Sequence, residues 1–421
     1  MENGERQGWI IVGAIFLTMF FIWGGINSGA VFFLPVLKTF GWTRAKFSIA
    51  LSIGWITGGA SGPLIGWVAD RVNPKKMMVG GAVVTALAYV GLSRATTFAE
   101  FLAINGLFGI CVGASTYLPC SLVIASWFQE KRGLALGIAF SGAMLGGAAM
   151  TPVVQHIIAA AGWRVGYLML ALPIVLVVVP LIVFVVRRRG HTQLSESAAI
   201  ENQARPEPAA PTALEPPGLE LSEAWQTRSF WLISAAQLLA GFSIGMGPHY
   251  VAYLTGVGYT AAFAAAVISL YLVLTTAGTL LGGPLADRFG ASHALFFTFI
   301  LSALGMLGMH GIAHFLGLAT NVLAGGFAAG AYVVQMPLVV IESLGVRRLG
   351  SMLGVTGICY TLGAASGPII TGRVFDITGS YSIPILSFLG MLIVCALAIR
   401  SCRSLDREKA RFQIASTSVA A

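Results

Sequence analysis

Twelve stretches of this 421-residue chain are apolar for long enough to cross a bilayer, and that property alone removes most folds from consideration. They run at 9–36, 45–69, 77–94, 98–126, 133–158, 163–186, 229–257, 261–285, 290–310, 311–341, 350–374 and 379–399. Inside hydrocarbon every backbone N–H and C=O must be paired within the protein, so only helices or closed barrels can sit there. The alternating segments of about ten residues that mark barrel strands are absent. The expectation is an all-α membrane protein of twelve transmembrane helices, numbered here 1 to 12 in that order. With 57% hydrophobic residues, 10% charged residues and a mean hydropathy of +0.84, the chain has no composition for life in water.

The opening "MENGERQG" lacks the basic start and small-residue cleavage site of a secretory signal, so the first run reads as a retained helix. Cys111, Cys120, Cys359, Cys395 and Cys402 are an odd set without a CxxC, lying mostly in apolar runs. Neither a disulfide nor a metal site is predicted, and no cofactor is implied. Lys and Arg sort by loop: all 25 except Lys38, Arg44, Lys46, Arg94, Arg164 and Arg373 fall on the side that carries both termini. The positive-inside rule makes that side cytoplasmic. The net charge of +9 then reflects topology, and a nucleic-acid partner is unnecessary.

Residues 188–228, rich in Pro, Ala, Ser and Glu, cannot bury a core and read as a cytoplasmic linker, with one short helix expected at "LELSEAW". They separate six helices in 1–187 from six in 229–400, followed by a tail, 401–421. A shift of 217 lays "GWT" (Gly41 to Thr43) on "GYT" (Gly258 to Thr260), Gly66 on Gly283, Asp70-Arg71 on Asp287-Arg288, and Gly162 on Gly379. Two six-helix bundles related by a pseudo-twofold along the membrane normal follow, with a site between them.

In helix 2, Gly54, Gly58, Gly62, Gly66 and Asp70 form one ridge at every fourth residue, the spacing that lets helices approach closely. The equivalents in helix 8 are Tyr271, Thr275, Thr279, Gly283 and Asp287. Hydroxyls replace glycine at the membrane-deep end, which points helix 8 at the substrate. An aspartate at a helix C-terminus meets the negative end of the dipole and needs a positive partner. One Asp-Arg end marks a membrane surface; its recurrence at the repeat position assigns Asp70, Arg71, Asp287 and Arg288 to a gate.

"GWVADRVNPKK" (Gly66 to Lys76) resembles the helix 2–3 loop signature of the major facilitator superfamily, and Gly283 to Gly290 its second-half copy. "GWTRAKFSIALS", "SWFQEKRGLALGIAFSGAMLGG", "GWR" and "LGAASGPIITGRVFDITGSY" are similar to bacterial monocarboxylate and oxalate:formate transporters. The resemblance implies the major facilitator fold and alternating access, with the loop signature holding the cytoplasmic side closed. It also implies a monomer in the bacterial cytoplasmic membrane. Glu130, Arg132, Glu342, Arg347 and Arg348 lie at the level of the gate as ionic partners.

Polar residues inside the runs are the candidates for substrate contact, since burying one costs energy unless it is paired or lines water. Asn27 in helix 1 reads either as an interhelical hydrogen bond or as a site residue. Tyr117 matches a substrate-contacting tyrosine of the resembled subgroup. His249 follows Pro248, which opens the helix ladder. Tyr271, Thr275 and Thr279 in helix 8, Tyr332 and Gln335 in helix 10 and Tyr360 in helix 11 complete the set. The resembled monocarboxylate carriers place a lysine in helix 1 and an Asp-Arg pair in helix 8. Here those positions hold Asn27, Thr275 and Thr279, so a dianion would be held poorly. The expected function is transport of a small organic monoanion, with proton symport through His249; the alternative is export of a neutral or amphipathic aromatic compound. No nucleophile-base constellation, GxxxxGK[ST] or HExxH points to an enzyme. Protease added to intact cells is expected to spare the 188–228 linker; cleavage there would overturn the helix count.

Overall fold

The structure is a computed structural model and describes residues 2–128, 132–186, 218–345, 347 and 349–402. All twelve predicted helices are present. Helix 1 comprises Glu2–Asn27, a 3-10 turn Ser28–Phe32 and Phe33–Phe40. Helix 2 is Arg44–Ala60 and Gly62–Arg71, interrupted at Ser61. Helix 3 is Pro74–Arg94, helix 4 is Phe98–Ser115 with Tyr117–Trp127, and helix 5 is Arg132–Ala161. Helix 6 runs through Trp163–Pro173, Ile174–Val178 and Val179–Phe184. In the second half, helix 7 is Arg228–Ser243, Ile244–Met246 and Tyr250–Val257. Helix 8 is Ala261–Phe289 and helix 9 Ala291–His310. Helix 10 is Phe315–Thr320, Asn321–Gly325 and Gly326–Leu344. Helices 11 and 12 are Leu349–Thr378 and Ser382–Arg400. Among the described residues, eleven segments are long and apolar enough to span a membrane; helix 2, divided at Ser61, is not one of them.

The repeated "GWT" and "GYT" now have a physical reading. Gly41 and Gly258 have φ of 64° and 113°, the left-handed conformation that ends helices 1 and 7. Two residues on, Thr43 and Thr260 accept hydrogen bonds from Lys46 N–H and Phe263 N–H and so cap helices 2 and 8. Each tripeptide is a complete stop-and-start signal, which is why both copies keep it.

Helix pairings repeat as well: 1 packs on 5 as 7 packs on 11, 2 on 4 as 8 on 10, and 3 on 6 as 9 on 12. Where helix 1 crosses helix 5, Gly24 faces Gly146, and Gly146 lies against the Phe20 carbonyl; in the second half, Gly241 faces Gly363, which lies against the Leu238 carbonyl. Lipid supplies no hydrophobic drive for helix association, so contact of this closeness is what holds each bundle. The halves meet along two seams, helix 2 with helix 11 and helix 5 with helix 8.

The expected short helix before helix 7 is present as Leu221–Ala224. Leu219 N–H donates to the Leu344 carbonyl at 3.0 Å and Glu220 pairs with Arg347 at 3.0 Å, which docks this segment on the end of helix 10. Residues 188–217 of the linker and the tail beyond 402 lie outside the described residues.

A Cβ at position 363 would overlap backbone of helix 7, whereas Gly354 on the same helix has nothing within 4 Å. Gly363→Ala is expected to destabilise by about 1–3 kcal/mol through overpacking. Gly354→Ala should be neutral or stabilising by up to ~1 kcal/mol through helix propensity. Thermal unfolding of the two purified variants in detergent checks the contrast.

Candidate functional site

Every hydrogen bond between the two halves among the described residues lies at the face opposite the termini. Asp376, in the last turns of helix 11, accepts from the Arg44 and Ala45 N–H groups at 3.2 and 3.0 Å. The Arg44 guanidinium covers the Phe375 ring at 3.8 Å and donates to the Tyr381 hydroxyl. His249 Nδ1 lies 3.2 Å from that hydroxyl, and Nε2 lies 3.0 Å from the Pro368 carbonyl and 3.2 Å from Ser48 Oγ. The apolar packing agrees with this distribution. One core cluster runs from helices 1–6 into helices 7, 8 and 12 through Tyr250, Leu254, Leu272 and Ile385, whereas Phe230, Leu344, Met352 and Ile399 form a separate cluster of the second half. Among the described residues, hydrogen bonds join the halves at the loop 41–43 face and none joins them toward the termini.

Two aromatic groups flank the midplane. In the first half Tyr117, 38% exposed, packs edge-on against Trp23 and Phe140 at ring separations of 5.2 and 4.9 Å. Helix 4 is interrupted at Thr116, beside this group, so the segment from Tyr117 begins mid-span. Its leading N–H groups have no intrahelical acceptor, and Pro119 contributes none. Trp23 Nε1 is buried without a hydrogen-bond partner. In the second half Tyr332 stacks on Tyr360 at 5.9 Å and donates to Gln237 Oε1. Asn27 sits where helices 1, 5 and 8 meet: its Nδ2 donates to the Ala143 carbonyl at 3.0 Å, and a Cβ at Gly147 would touch both Asn27 and Leu272.

The remaining sequence candidates fall elsewhere. Tyr271, Thr275 and Thr279 are the ridge of helix 8 that packs on helix 10, where Gly326 lies against the Tyr271 backbone and Gly330 against the Thr275 carbonyl. Thr275 and Thr279 hydroxyls donate to the carbonyls of Tyr271 and Thr275, each at 2.9 Å. The helix 2 ridge does the same on helix 4, with Gly54 and Gly58 facing the Asn105 and Gly109 carbonyls. The backbone of this ridge serves the 8–10 seam, the Thr275 and Thr279 hydroxyls bond back along helix 8, and Thr279 also lies 3.4 Å from the Gly330 carbonyl of helix 10. Gln335 is buried, accepting from Thr298 at 2.8 Å and donating to the Gly282 carbonyl at 3.2 Å. His249, fully enclosed, belongs to the closed face and not to either aromatic group.

At the terminus-bearing face, among the described residues, no hydrogen bond or ion pair joins Arg71, Asp287 or Arg288 to the other half. The Arg71 guanidinium lies 4.1 Å from the Trp67 ring and donates to the Trp67 carbonyl. Asp287 and Arg288 are exposed, Arg288 lying 5.5 Å from the Phe289 ring. Glu342 accepts from the Ser292 N–H at 2.9 Å and Arg347 pairs with Glu220. Glu130, Arg348 and the side chains of Asp70 and Arg132 lie outside the described residues.

Trp23 and Phe140 escaped the sequence reading because both are apolar by type, and Gln237 because its contact with Tyr332 lies 95 residues away in the chain. Arg44, Asp376 and Tyr381 stand inside "GWTR" and "VFDITGSY", where their separation by more than 300 residues hid their contact.

Residues 11–266 and 236–419 match the Major Facilitator Superfamily. The chain is 25% identical to an uncharacterized MFS-type transporter of Bacillus subtilis over 98% of both chains. It is 24% identical to monocarboxylate transporter 13 of Bos taurus over 89% of this chain and 84% of that one. It is also 24% identical to the fujikurins efflux protein of Gibberella fujikuroi, over 97% and 84%. In fold it is similar to a bacterial homolog of the human lysosomal transporter Spinster, solved inward-facing and unoccupied, with a TM-score of 0.70 at 17% identity over 94% and 96% of the chains. Because the family match takes in both repeat halves, and the architecture of that family is the one the helices adopt, the protein belongs to the major facilitator superfamily of membrane transporters.

Proposed function

We propose that the protein moves a small monocarboxylate with an apolar or aromatic body across the bacterial cytoplasmic membrane by alternating access, coupled to a proton. The observation that supports alternating access is the one-sided bonding of the halves, whose hydrogen bonds among the described residues all lie at the loop 41–43 face. With both termini in the cytoplasm, as the Lys and Arg distribution argues, this is the inward-open half of the cycle. The protein acts as a monomer in this reading.

The chemistry flanking the midplane supports a weakly held monoanion. Trp23, Tyr117, Tyr332 and Tyr360 offer aromatic surface, and Asn27 and the start of the second helix 4 segment offer neutral donors. Neutral hydrogen bonds contribute roughly 0.5–1.5 kcal/mol each, less than a charge-assisted pair, so a dianion would lack compensation for its lost hydration. The kinship with a monocarboxylate transporter supports the same class. A second reading, export of a neutral or amphipathic aromatic compound, is supported by the same uncharged surface and by the relative named for efflux.

His249 couples the proton in this scheme through the closed face and not through substrate contact. Both ring nitrogens are engaged while that face is shut, so a proton reaches the ring only when it opens, and enters from that side.

In proteoliposomes, uptake of an aromatic monocarboxylate such as benzoate is expected to weaken as external pH rises from about 5 to about 8 and to lose that dependence in His249→Gln. An unchanged profile in the variant would make His249 structural; wild-type transport indifferent to both pH and membrane potential would favour the neutral-solute reading. A second expectation concerns the terminus-bearing face, which must close for the cycle to complete. The double variant Asp70→Asn, Asp287→Asn should keep its thermal stability and lose roughly two- to tenfold in turnover, the scale of a pair of exposed ionic contacts. Unaltered turnover would reduce both residues to surface markers.

A further inference from the structure

We infer that Asp376 is a positioning residue of a second gate, capping helix 2 across the seam between the halves and thereby latching the face opposite the termini. The inference rests on the alternating-access reading. The first N–H groups of any helix lack intrahelical acceptors. In helix 2 the Lys46 N–H is satisfied locally by Thr43 Oγ1, but the Arg44 and Ala45 N–H groups are satisfied by the Asp376 carboxylate, which belongs to the other half. A carboxylate at a helix N-terminus is favoured by the dipole as well as by the hydrogen bonds, and here both gains exist only while the halves are together.

Two features make the cap specific to this seam. Gly372, one turn before Asp376 on the same face of helix 11, lies against the Ala45 N–H, at 2.7 Å from where a Cβ would stand, so the helices approach closely enough for the carboxylate to reach. Behind the cap runs a directed chain. The Pro368 carbonyl can only accept, so His249 Nε2 carries the ring hydrogen; Nδ1 then accepts from the Tyr381 hydroxyl, whose oxygen accepts from Arg44. The latch thus extends from exposed Asp376 at the rim to fully buried His249. The 217-residue repeat does not reproduce it: the positions equivalent to Arg44, Asp376 and His249 are Ala261, Ala159 and Phe32. The other seam, helices 5 and 8, has no hydrogen bond between the halves among the described residues.

The test uses full-length protein in nanodiscs with the native cysteines replaced, and reads the rate of labelling by a charged thiol reagent at one reporter cysteine. Val251→Cys reports the closed face, where Val251 is buried; Ile358→Cys reports helix 11 on the terminus side of Thr361, which touches Gly59 of helix 2. Asp376→Ala should raise labelling at 251 by about five- to tenfold, the loss of one helix cap, and lower it at 358. Asp376→Glu, which keeps the carboxylate, should restore both rates. No change at 251 in a monodisperse Asp376→Ala protein overturns the latch. A rise at 251 without a fall at 358 overturns alternating access itself, and the gate with it. Failure of Asp376→Glu to restore the rates overturns the capping role.

Discussion

The fold depends on backbone meeting backbone. Between helices in lipid, apolar side chains gain little by leaving one oily surface for another, so association relies on dispersion contact at short range. Gly146 on the Phe20 carbonyl and Gly363 on the Leu238 carbonyl bring helix axes together as closely as chains allow. The two seams between the bundles are packed as closely, with Gly372 of helix 11 against the Ala45 N–H of helix 2 and Gly147 of helix 5 against Leu272 of helix 8.

The seams differ in character. Along helices 5 and 8, Gly147 meets Leu272 across the interface with Asn27 beside it, and no hydrogen bond crosses this seam among the described residues. Along helices 2 and 11 the same face carries Arg44, Ser48, His249, Asp376 and Tyr381, all hydrogen-bonded across it. Apolar packing has little directional preference and tolerates rotation, whereas a chain of hydrogen bonds is made or broken within fractions of an ångström. One seam behaves as a spine and the other as a clasp.

Much of this was legible in the sequence, for reasons that differ by feature. Helix count followed from run length because the bilayer fixes the length. The turns at Gly41 and Gly258 and the caps at Thr43 and Thr260 were visible as a repeated tripeptide because their chemistry is local. Which polar residue faces which neighbour was not legible. Successive residues on a helix differ by about 100° in direction, so a small error in the rotation of helix 8 turns Thr275 from a neighbouring helix to the midplane. His249 illustrates the same limit: its residue type announced a special role, but its partners come from helices 2 and 11 and the 11–12 loop, and nothing near position 249 specifies them. Trp23 and Phe140 were invisible for the opposite reason, since an aromatic in an apolar run carries no mark of the surface it faces.

The placement of Asp376 and Arg44 has an electrical consequence. Asp376 accepts from the Arg44 N–H, which puts the two opposite charges at one level of the bundle. Work against a transmembrane voltage arises only from charge displaced along the membrane normal, about 2.3 kcal/mol per elementary charge carried across 100 mV. Opposite charges held at one level cancel in that sum when they move together, so the pair adds no voltage dependence of its own.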